Sequence, residues 1–578
     1  MLLEFNQLIA QAAQVSAETP RKTVRLALLG DSTTQFLHKA IKAQGLLAGI
    51  AFEVMEADFG QIERQVFDPG SELYAFEPEM IVIAFTAKKR LAKFYGLPAE
   101  AQRNFAADTC RQVADLVETI SGQSKAKVLI FNLEEIDDHV FGHFANKLPL
   151  AWLNQVRRLN VGLMDLAEAY GNAFVVDVAS LHDRFGRQAA YSPNIYVSTD
   201  LVHSLDFTAA IAKAVTDVVG SIMGKFKKCL ILDLDNTTWG GVIGDDGIEN
   251  IEVGNLGLGK VFVELQRWAK ALKDRGIILA VCSKNNEETA KEPFLKHPDM
   301  VLRLDDIAVF VANWDNKADN IRHIQEILNI GFDSMVFLDD NPVERQIVME
   351  NLPEVTVPGL PDDPAEWLEF LYGLNLWETA SHTATDTERT RQYQEEASRH
   401  SLSKKFTNVD EFLRSLDMKA FVREFREFDV PRVAQLSQRS NQFNLRTVRY
   451  TEEDIRRIAA DPGYVTFAFN LADKFGDNGL IAVVILQKRP DAVLFIDTWF
   501  MSCRVLKRGM EAFTLHTLVE AARSLGFKRL VGEYIPTAKN EMVADHYAGL
   551  GFREQDGFWY LELNDFLATT FFIETTTA

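Results

Sequence analysis

The sequence predicts a multidomain α/β protein, and three observations carry that expectation. Short apolar runs ending in acidic or hydroxyl residues recur through the first 360 positions, the pattern of buried parallel strands that present ligands at their carboxyl ends. Stretches with helical spacing lie between them, as at Val261, Leu265, Trp268 and Leu272. Beyond position 420 the apolar runs follow one another directly, as consecutive antiparallel strands do. The boundaries read from these shifts are an α/β sandwich over 1–224, a second α/β domain over 225–360, a helical connector over 361–420 and an α+β domain over 421–578.

Composition narrows the function classes. The chain has 578 residues, 47% of them hydrophobic, and a net charge of −21. That charge argues against a dedicated nucleic-acid binder. No apolar run approaches the roughly 18 residues of a membrane span. Met1-Leu-Leu-Glu4 begins no basic, then apolar, leader. Four cysteines do not make a disulfide framework in so long a chain. The expected location is the cytoplasm, with neither membrane nor nucleic acid as a partner.

In the first domain the candidate strands are 24–30, 80–85, 127–131 and 173–178. The first ends in Gly30-Asp-Ser32, and Asp200-Leu-Val-His203 comes late. This pairing resembles the SGNH esterases. The resemblance implies Ser32 as nucleophile and His203 as base oriented by Asp200, with Gly60 supplying one oxyanion amide. Where that family has a Gly-x-Asn-Asp turn, this chain reads Ala84-Phe-Thr-Ala-Lys-Lys-Arg90. A missing oxyanion donor costs about 10²–10³ in rate. The domain is therefore either a weak esterase or a retired fold used for docking.

The second domain opens with Cys229-Leu-Ile-Leu-Asp233-Leu-Asp235-Asn-Thr237. Two carboxylates and a hydroxyl at alternate positions after a strand suit a hard cation and a phosphate. Ile277 to Ser283 is a second strand ending in a hydroxyl, Lys317 precedes a helical segment, and Ser334 to Asp340 is a third strand ending in paired acids. Four such motifs in order resemble the haloacid dehalogenase (HAD) superfamily and imply its Rossmann-like domain. In that likeness Asp233 is the nucleophile and Asp235 the general acid/base. Thr237, Ser283 and Lys317 hold phosphate. Asp339 or Asp340 completes a Mg²⁺ site with Asp233 and the main-chain carbonyl of Asp235. The gaps between motifs leave no room for a large cap, so a neighbouring domain or a macromolecular partner is expected to cover an open site.

The connector's Glu388 to Glu396 run is charged on most faces and reads as a solvated bridging helix. In the last domain, candidate strands at 465–469, 480–486, 492–497 and 529–533 flank a helix at 511–525. Asn540, Tyr547 and Gly551-Phe552 follow, and the order resembles a GNAT acyltransferase domain. The cofactor loop departs from that family, because Glu511 stands where a CoA pyrophosphate is cradled and would repel it. A pantetheine arm without the nucleotide would still fit.

Asp233 to Gly247, Cys282-Ser-Lys-Asn285 and Gln435 to Leu445 together resemble the FkbH-like proteins. The resemblance implies an enzyme of polyketide-type pathways that dephosphorylates 1,3-bisphosphoglycerate. The glyceryl group passes to the phosphopantetheine thiol of an acyl carrier protein. Cys282 is then either an acyl acceptor or a buried strand-end residue. Contacts to the arm or carrier would come from Asn441, Asn444, Arg504, Arg508, Asn540 and Tyr547. An acidic carrier needs a basic patch. Arg432, Arg439, Arg446, Arg449, Arg456 and Arg457, with Arg504, Lys507 and Arg508, supply either that or ordinary solvated faces. The competing readings are a plain HAD phosphatase with spectator domains and a non-catalytic assembly protein.

Overall fold

The computed structural model describes residues 3–16, 22–383, 388–440, 442–537 and 539–576. The chain divides into two compact units, Met1–Ser221 and Ile222–Ala578. The first holds a five-stranded parallel sheet, β1 (Lys22–Gly30), β2 (Ile50–Glu56), β3 (Met80–Ala84), β4 (Lys127–Phe131) and β5 (Ala173–Val176), in the order β2-β1-β3-β4-β5. The order reverses between β1 and β3, and Ser32 and Thr86 follow the carboxyl ends of those two strands. Strand β2 is not expected from the sequence. It is an edge strand, and the exposed Glu53 breaks its apolar run.

The second unit carries two sheets. The first is a parallel set, β6 (Cys229–Leu232), β7 (Ile278–Ser283), β8 (Val309–Ala312) and β9 (Met335–Leu338), in the order β8-β7-β6-β9. Its residues are buried almost without interruption; the runs of β6, β7 and β9 are those the sequence predicts, and the four-residue edge strand β8 is not expected from it. Between β6 and the helix Gly259–Asp274 there is a four-residue helix, Ile243–Asp246, and a pair of isolated bridges. The domain has no large cap.

The second sheet has eight strands. They are β10 (Met418–Arg423), β11 (Tyr464–Asp473), β12 (Gly476–Arg489), β13 (Val493–Met501), β14 (Arg529–Glu533), β15 (Arg553–Gln555), β16 (Phe558–Glu562) and β17 (Ile573–Thr575). Pairing is antiparallel except between β13 and β14 and between β10 and β17. Strands β15, β16, β10 and β17 go beyond the sequence reading, and they are the short outer members of the sheet. No helix among the described residues is long and apolar enough to cross a membrane.

The connector is not the solvated bridge its charges suggest. Trp367 and Leu371 of the helix Trp367–Leu374 are buried in the core beside β6 and β7. The helix Arg389–Ser403 buries Thr390, Tyr393 and Arg399. Arg399 is 2% exposed and clasps the fully buried Asp473, with Nε 2.7 Å from Oδ2 and Nη2 2.8 Å from Oδ1. A charged residue on an inner face disguises the face as solvated, because the sequence does not show the acid waiting for it across the fold. Arg399→Ala leaves Asp473 buried with part of its compensation gone. The expected loss is about 3–5 kcal/mol, measured as a lower urea midpoint for the full chain.

Candidate active site

The carboxyl ends of β6 and β9 sit side by side because Leu232 pairs with Leu338 and the Asp233 amide donates to the Leu338 carbonyl at 2.9 Å. That register brings Asp233, Asp339 and Asp340 together, each offering a carboxylate oxygen, all within 4.8 Å of one another. Lys317 opens the helix Lys317–Leu328, whose cap Asn316 accepts from the Ala318 amide. Its buried ammonium lies 2.9 Å from Asp233 Oδ1 and pairs with Asp339. Burial opposes the Lys317 charge, but Asp233 and Asp339 outweigh it and raise its pKa. Burial pushes the Asp233 carboxyl up to about 7; Lys317 opposes the rise and Asp339 adds to it. Asp340 is also raised, by burial and then by Asp339.

Asp233 Oδ1 is buried and makes no hydrogen bond of good geometry despite the nearby ammonium. A buried, clustered, incompletely satisfied carboxylate set at strand ends fits a hard divalent cation. The Asp235 carboxylate is not in that cluster. It accepts from the Trp239 indole at 3.0 Å, the Ile243 amide at 3.0 Å and Asn285 Nδ2 at 2.9 Å. Ser283 is buried with its Oγ 3.1 Å from the same Asn285 nitrogen. Asn285 therefore ties Asp235, the expected acid/base, to Ser283, the expected phosphate ligand, a link the sequence does not predict. Its only sequence signal is an amide two residues beyond a strand-end serine. Thr238 and Arg345 were likewise unassigned. Thr238 Oγ1 donates to the Asp233 carbonyl at 2.5 Å, and Arg345 Nη1 donates to the carbonyls of Asp339 and Asp340 at 2.8 and 2.7 Å.

Two expectations for this site are corrected. Thr237 is fully buried and its hydroxyl is committed to Asp340, accepting from its amide at 3.0 Å and donating to Oδ1 at 3.1 Å. It holds Asp340 in place, so its hydroxyl is not available for the expected phosphate contact. Cys282 points away from Ser283, as successive strand residues must. It packs in the apolar cluster with Ala280, Ile321 and Phe337, with no exposed surface. Burial pushes its thiol up to about 12, with Lys317 opposing. A protonated, inaccessible thiol is not an acyl acceptor.

The mouth is open and apolar. Val242, Leu256, Leu258 and Trp314 are exposed on loops that follow β6 and β8, Trp314 at 76%, and Val343 is exposed in the first turn of the helix Pro342–Asn351 that follows β9. A cavity of about 400 Å³ adjoins Asp340, lined by Gly241, Glu252, Phe262, Arg345 and Trp367 among others.

In the first unit the expected triad is not assembled. Asp200 adopts a left-handed conformation with φ 61° and pairs with Lys89. His203 Nε2 is engaged instead by the fully buried Glu134. Burial opposes the charge on Glu134, but His203 outweighs it and holds the carboxyl below its usual range. The Gly60 amide is spent on the Gly30 carbonyl at 2.9 Å, so it is no oxyanion donor. Ser32 and His203 share a cavity of about 30 Å³, too small for an ester substrate.

The expected carrier contacts in the last domain are mostly structural. Arg508 pairs with Glu396 and Asp473. Asn540 is fully buried, donating to the carbonyls of Asn444 and Ile535 at 3.0 Å and accepting from Thr537. Asn444 is fully buried and accepts from the Thr447 amide within its own turn. Tyr547 is buried and stacks on Trp559. Asn441 lies outside the described residues. Glu511 accepts from the Lys507 amide at 3.2 Å, occupying a backbone donor that an anion cradle would use. The arginine patch also divides. Arg446, Arg456 and Arg457 are matched to acids, and Arg449 donates to the Ser437 and Ser440 carbonyls.

Asn285→Ala is expected to lower kcat about 10–100-fold with little change in KM, since it releases both groups it orients; Cys282→Ala should leave kcat unaltered, both read by phosphate release. Hydrolysis of p-nitrophenyl acetate should be slow and the same for wild type and Ser32→Ala. A fast rate lost in the variant would restore the esterase reading.

The FkbH N-terminal domain family matches residues 25–220. A solved structure of the N-terminal part of the protein BF1531 from Bacteroides fragilis, containing a phosphatase domain complexed with Mg, is 50% identical. The match covers 66% of this chain and 100% of that one, at a TM-score of 0.63. The ribosomal-protein-S18-alanine N-acetyltransferase of Escherichia coli is 18% identical over 25% of this chain and 94% of its own, with a TM-score of 0.20. No curated protein matches the chain. On the domain match and the half-identical relative, covered from end to end, the chain belongs to the FkbH-like family.

Proposed function

We propose that the chain is a Mg²⁺-dependent, HAD-type phosphatase that acts on an acyl phosphate, 1,3-bisphosphoglycerate, and delivers the glyceryl group to an acyl carrier protein. The observation that carries the phosphatase part is the cluster of buried Asp233 and Asp339 and half-buried Asp340, with Lys317, at the strand ends. The phosphatase domain of BF1531 is complexed with Mg, which supports the same ion here. Asp233, Asp339 and Asp340 would hold Mg²⁺, which supplies charge neutralisation for the phosphoryl oxygens.

In the hydrolytic step the Asp233 carboxylate attacks phosphorus and the bond to the leaving oxygen breaks. Asp235 gives that oxygen its proton. Water then attacks the aspartyl phosphate, Asp235 takes the water's proton, and inorganic phosphate leaves. In this reading Lys317 and Ser283 bind the transferring oxygens as they gain negative charge, a role supported for Lys317 by its contacts with Asp233 and Asp339.

Acyl transfer needs a different bond to break. A thiol of the carrier attacks the C1 acyl carbonyl, a C–S bond forms, the C–O bond to the C1 phosphate breaks, and the thiol proton leaves with that phosphate. The C3 phosphate ester is then the bond that the Asp233 step hydrolyses, so that glyceryl and not phosphoglyceryl remains on the carrier. Because Cys282 is buried, this thiol is in our reading the carrier's own, with no thioester formed on Cys282. The open mouth with exposed Trp314, Leu256 and Val343 supports a protein partner, since a site acting on free metabolites gains from a cap that excludes water. A cytoplasmic location is part of the same reading.

Asp233→Asn should abolish phosphate release, Asp235→Asn should slow it about 10²–10⁴-fold, and EDTA should mimic Asp233→Asn. Undiminished turnover in any of these would sink the phosphatase reading. Intact-protein mass spectrometry of a holo carrier with 1,3-bisphosphoglycerate should show a glyceryl adduct, formed at the same rate by Cys282→Ala. Phosphate release without an adduct would leave only the hydrolase.

A further inference from the structure

The cavity beside Asp340 is about 400 Å³, within the range of small-molecule sites. Because Asp340 belongs to the carboxylate cluster, the cavity adjoins the reacting end of the site. Its floor is apolar. Phe262, Leu360 and Trp367 are buried, and the Phe262 and Trp367 rings meet edge to face at 6.2 Å. The Trp367 indole N–H is spent on the Pro361 carbonyl at 2.8 Å, so that ring offers a ligand no donor. One wall is the loop after β6, where Gly240 and Glu252 exchange two backbone hydrogen bonds, at 3.1 and 2.8 Å. The Glu252 side chain lies over Gly240. A Cβ on that glycine would come within 3.1 Å of Glu252 Oε2 and 2.8 Å of Phe262 Cε2. The bridge therefore fixes a carboxylate at the cavity wall.

Charge decides what this space takes. Its ionisable lining is Glu252, Asp340 and Asp362 against the single cation Arg345. Arg345 turns Nη1 to the Asp339 and Asp340 carbonyls. Glu252 and Asp362 are exposed at the rim and make no ion pair among the described residues. A substrate phosphate held beside Asp233 and Lys317 brings further negative charge to one end of the cavity. A second anion would stand between that phosphate and the two rim acids, and like charges so placed repel. An uncharged group meets no such cost and gains contact with the apolar floor. In the proposed reaction the C3 phosphate ester is joined to a carboxylate or an acyl phosphate, both anionic, or to a thioester, which is neutral. The lining favours the thioester.

We propose that this cavity seats the leaving group of the Asp233 step, and that Glu252 and Asp362 select one without negative charge: a glyceryl thioester over free phosphoglycerate or bisphosphoglycerate. The inference rests on the phosphatase reading and gives its order a physical cause. The C3 phosphate survives until the acyl phosphate has been exchanged for the carrier's thioester, so the free metabolite is not hydrolysed before its acyl group is captured. Glu252 and Asp362 set specificity and take no part in bond breaking.

Phosphate release by the full chain in Mg²⁺ is compared for glycerol 3-phosphate, 3-phosphoglycerate and the 3-phosphoglyceryl thioester of pantetheine. The first two share a three-carbon skeleton and differ in one carboxylate. The kcat/KM for glycerol 3-phosphate and for the thioester should exceed that for 3-phosphoglycerate about tenfold or more. Glu252→Gln and Asp362→Asn should each narrow the ratio about threefold, by raising kcat/KM for 3-phosphoglycerate alone, since exposed acids act through a screened field. Calorimetry in Mg²⁺ on Asp235→Asn, which hydrolyses slowly, should give the same ranking in Kd, a readout of binding and not of rate. Leu258→Trp, at the partly exposed edge of the cavity, should raise the KM of the thioester more than that of glycerol 3-phosphate. No turnover and no binding of any of the three esters sinks the phosphatase reading and this inference with it. Turnover in which 3-phosphoglycerate matches or surpasses glycerol 3-phosphate overturns this inference alone. So does a preference that both carboxamide variants leave unmoved, or a thioester KM indifferent to Leu258→Trp.

Discussion

The ammonium of Lys317 is the constraint on which the catalytic half depends. Three carboxylates gathered within 4.8 Å at the ends of buried strands would repel one another and pay heavily for desolvation. A buried cation between Asp233 and Asp339 offsets both costs. The position of that cation is itself a consequence of the fold. Lys317 is the first residue of its helix, capped by Asn316, so the chain enters the helix with the side chain turned toward the strand ends. A mobile lysine on a loop would lose rotamer entropy in making the same contact. Thr237, Thr238 and Arg345 then fix the acids from behind through their backbone and side-chain atoms.

Legibility followed burial. Strands β6, β7 and β9 are buried on both faces, so their apolar runs end abruptly at the acidic and hydroxyl residues, and the motif order was readable from sequence, whereas the four-residue edge strand β8 was not. What could not be read was direction. Thr237 follows Asp235 by two and looks like another ligand, but a left-handed turn at Asn236, with φ 53°, precedes it, and its hydroxyl meets Asp340. Cys282 adjoins Ser283 in sequence and faces the opposite side of the sheet. One-dimensional adjacency means proximity in a loop and separation in a strand.

The first unit shows the same limit in another form. Asp200-Leu-Val-His203 has the spacing of a dyad, yet the histidine finds Glu134, which lies 69 positions away along the chain. A fully buried glutamate at the end of β4 carries no local signal, because only the folded sheet brings it to His203. The oxyanion expectation failed for a comparable reason. The Gly60 amide was free in sequence and is spent in structure, where it closes the turn onto Gly30. The missing Gly-x-Asn-Asp turn was the one departure that sequence reading could detect, and it pointed in the direction that the geometry supports.

Charge in the second unit is distributed by a single rule, and the rule explains why the arginines misled. Where an arginine meets an acid across the fold, as Arg399 and Arg508 meet Asp473 and Arg446 meets Asp497, the pair is part of the scaffold and is unavailable to a partner. Where an arginine meets carbonyls instead, as Arg449 meets those of Ser437 and Ser440, its donors are spent within the fold in the same way. The sequence shows each arginine only as a cation, because the group that claims it lies far along the chain or is a main-chain carbonyl that carries no sequence signal. A run of arginines therefore reads as a basic patch in one dimension and becomes a set of internal ties in three.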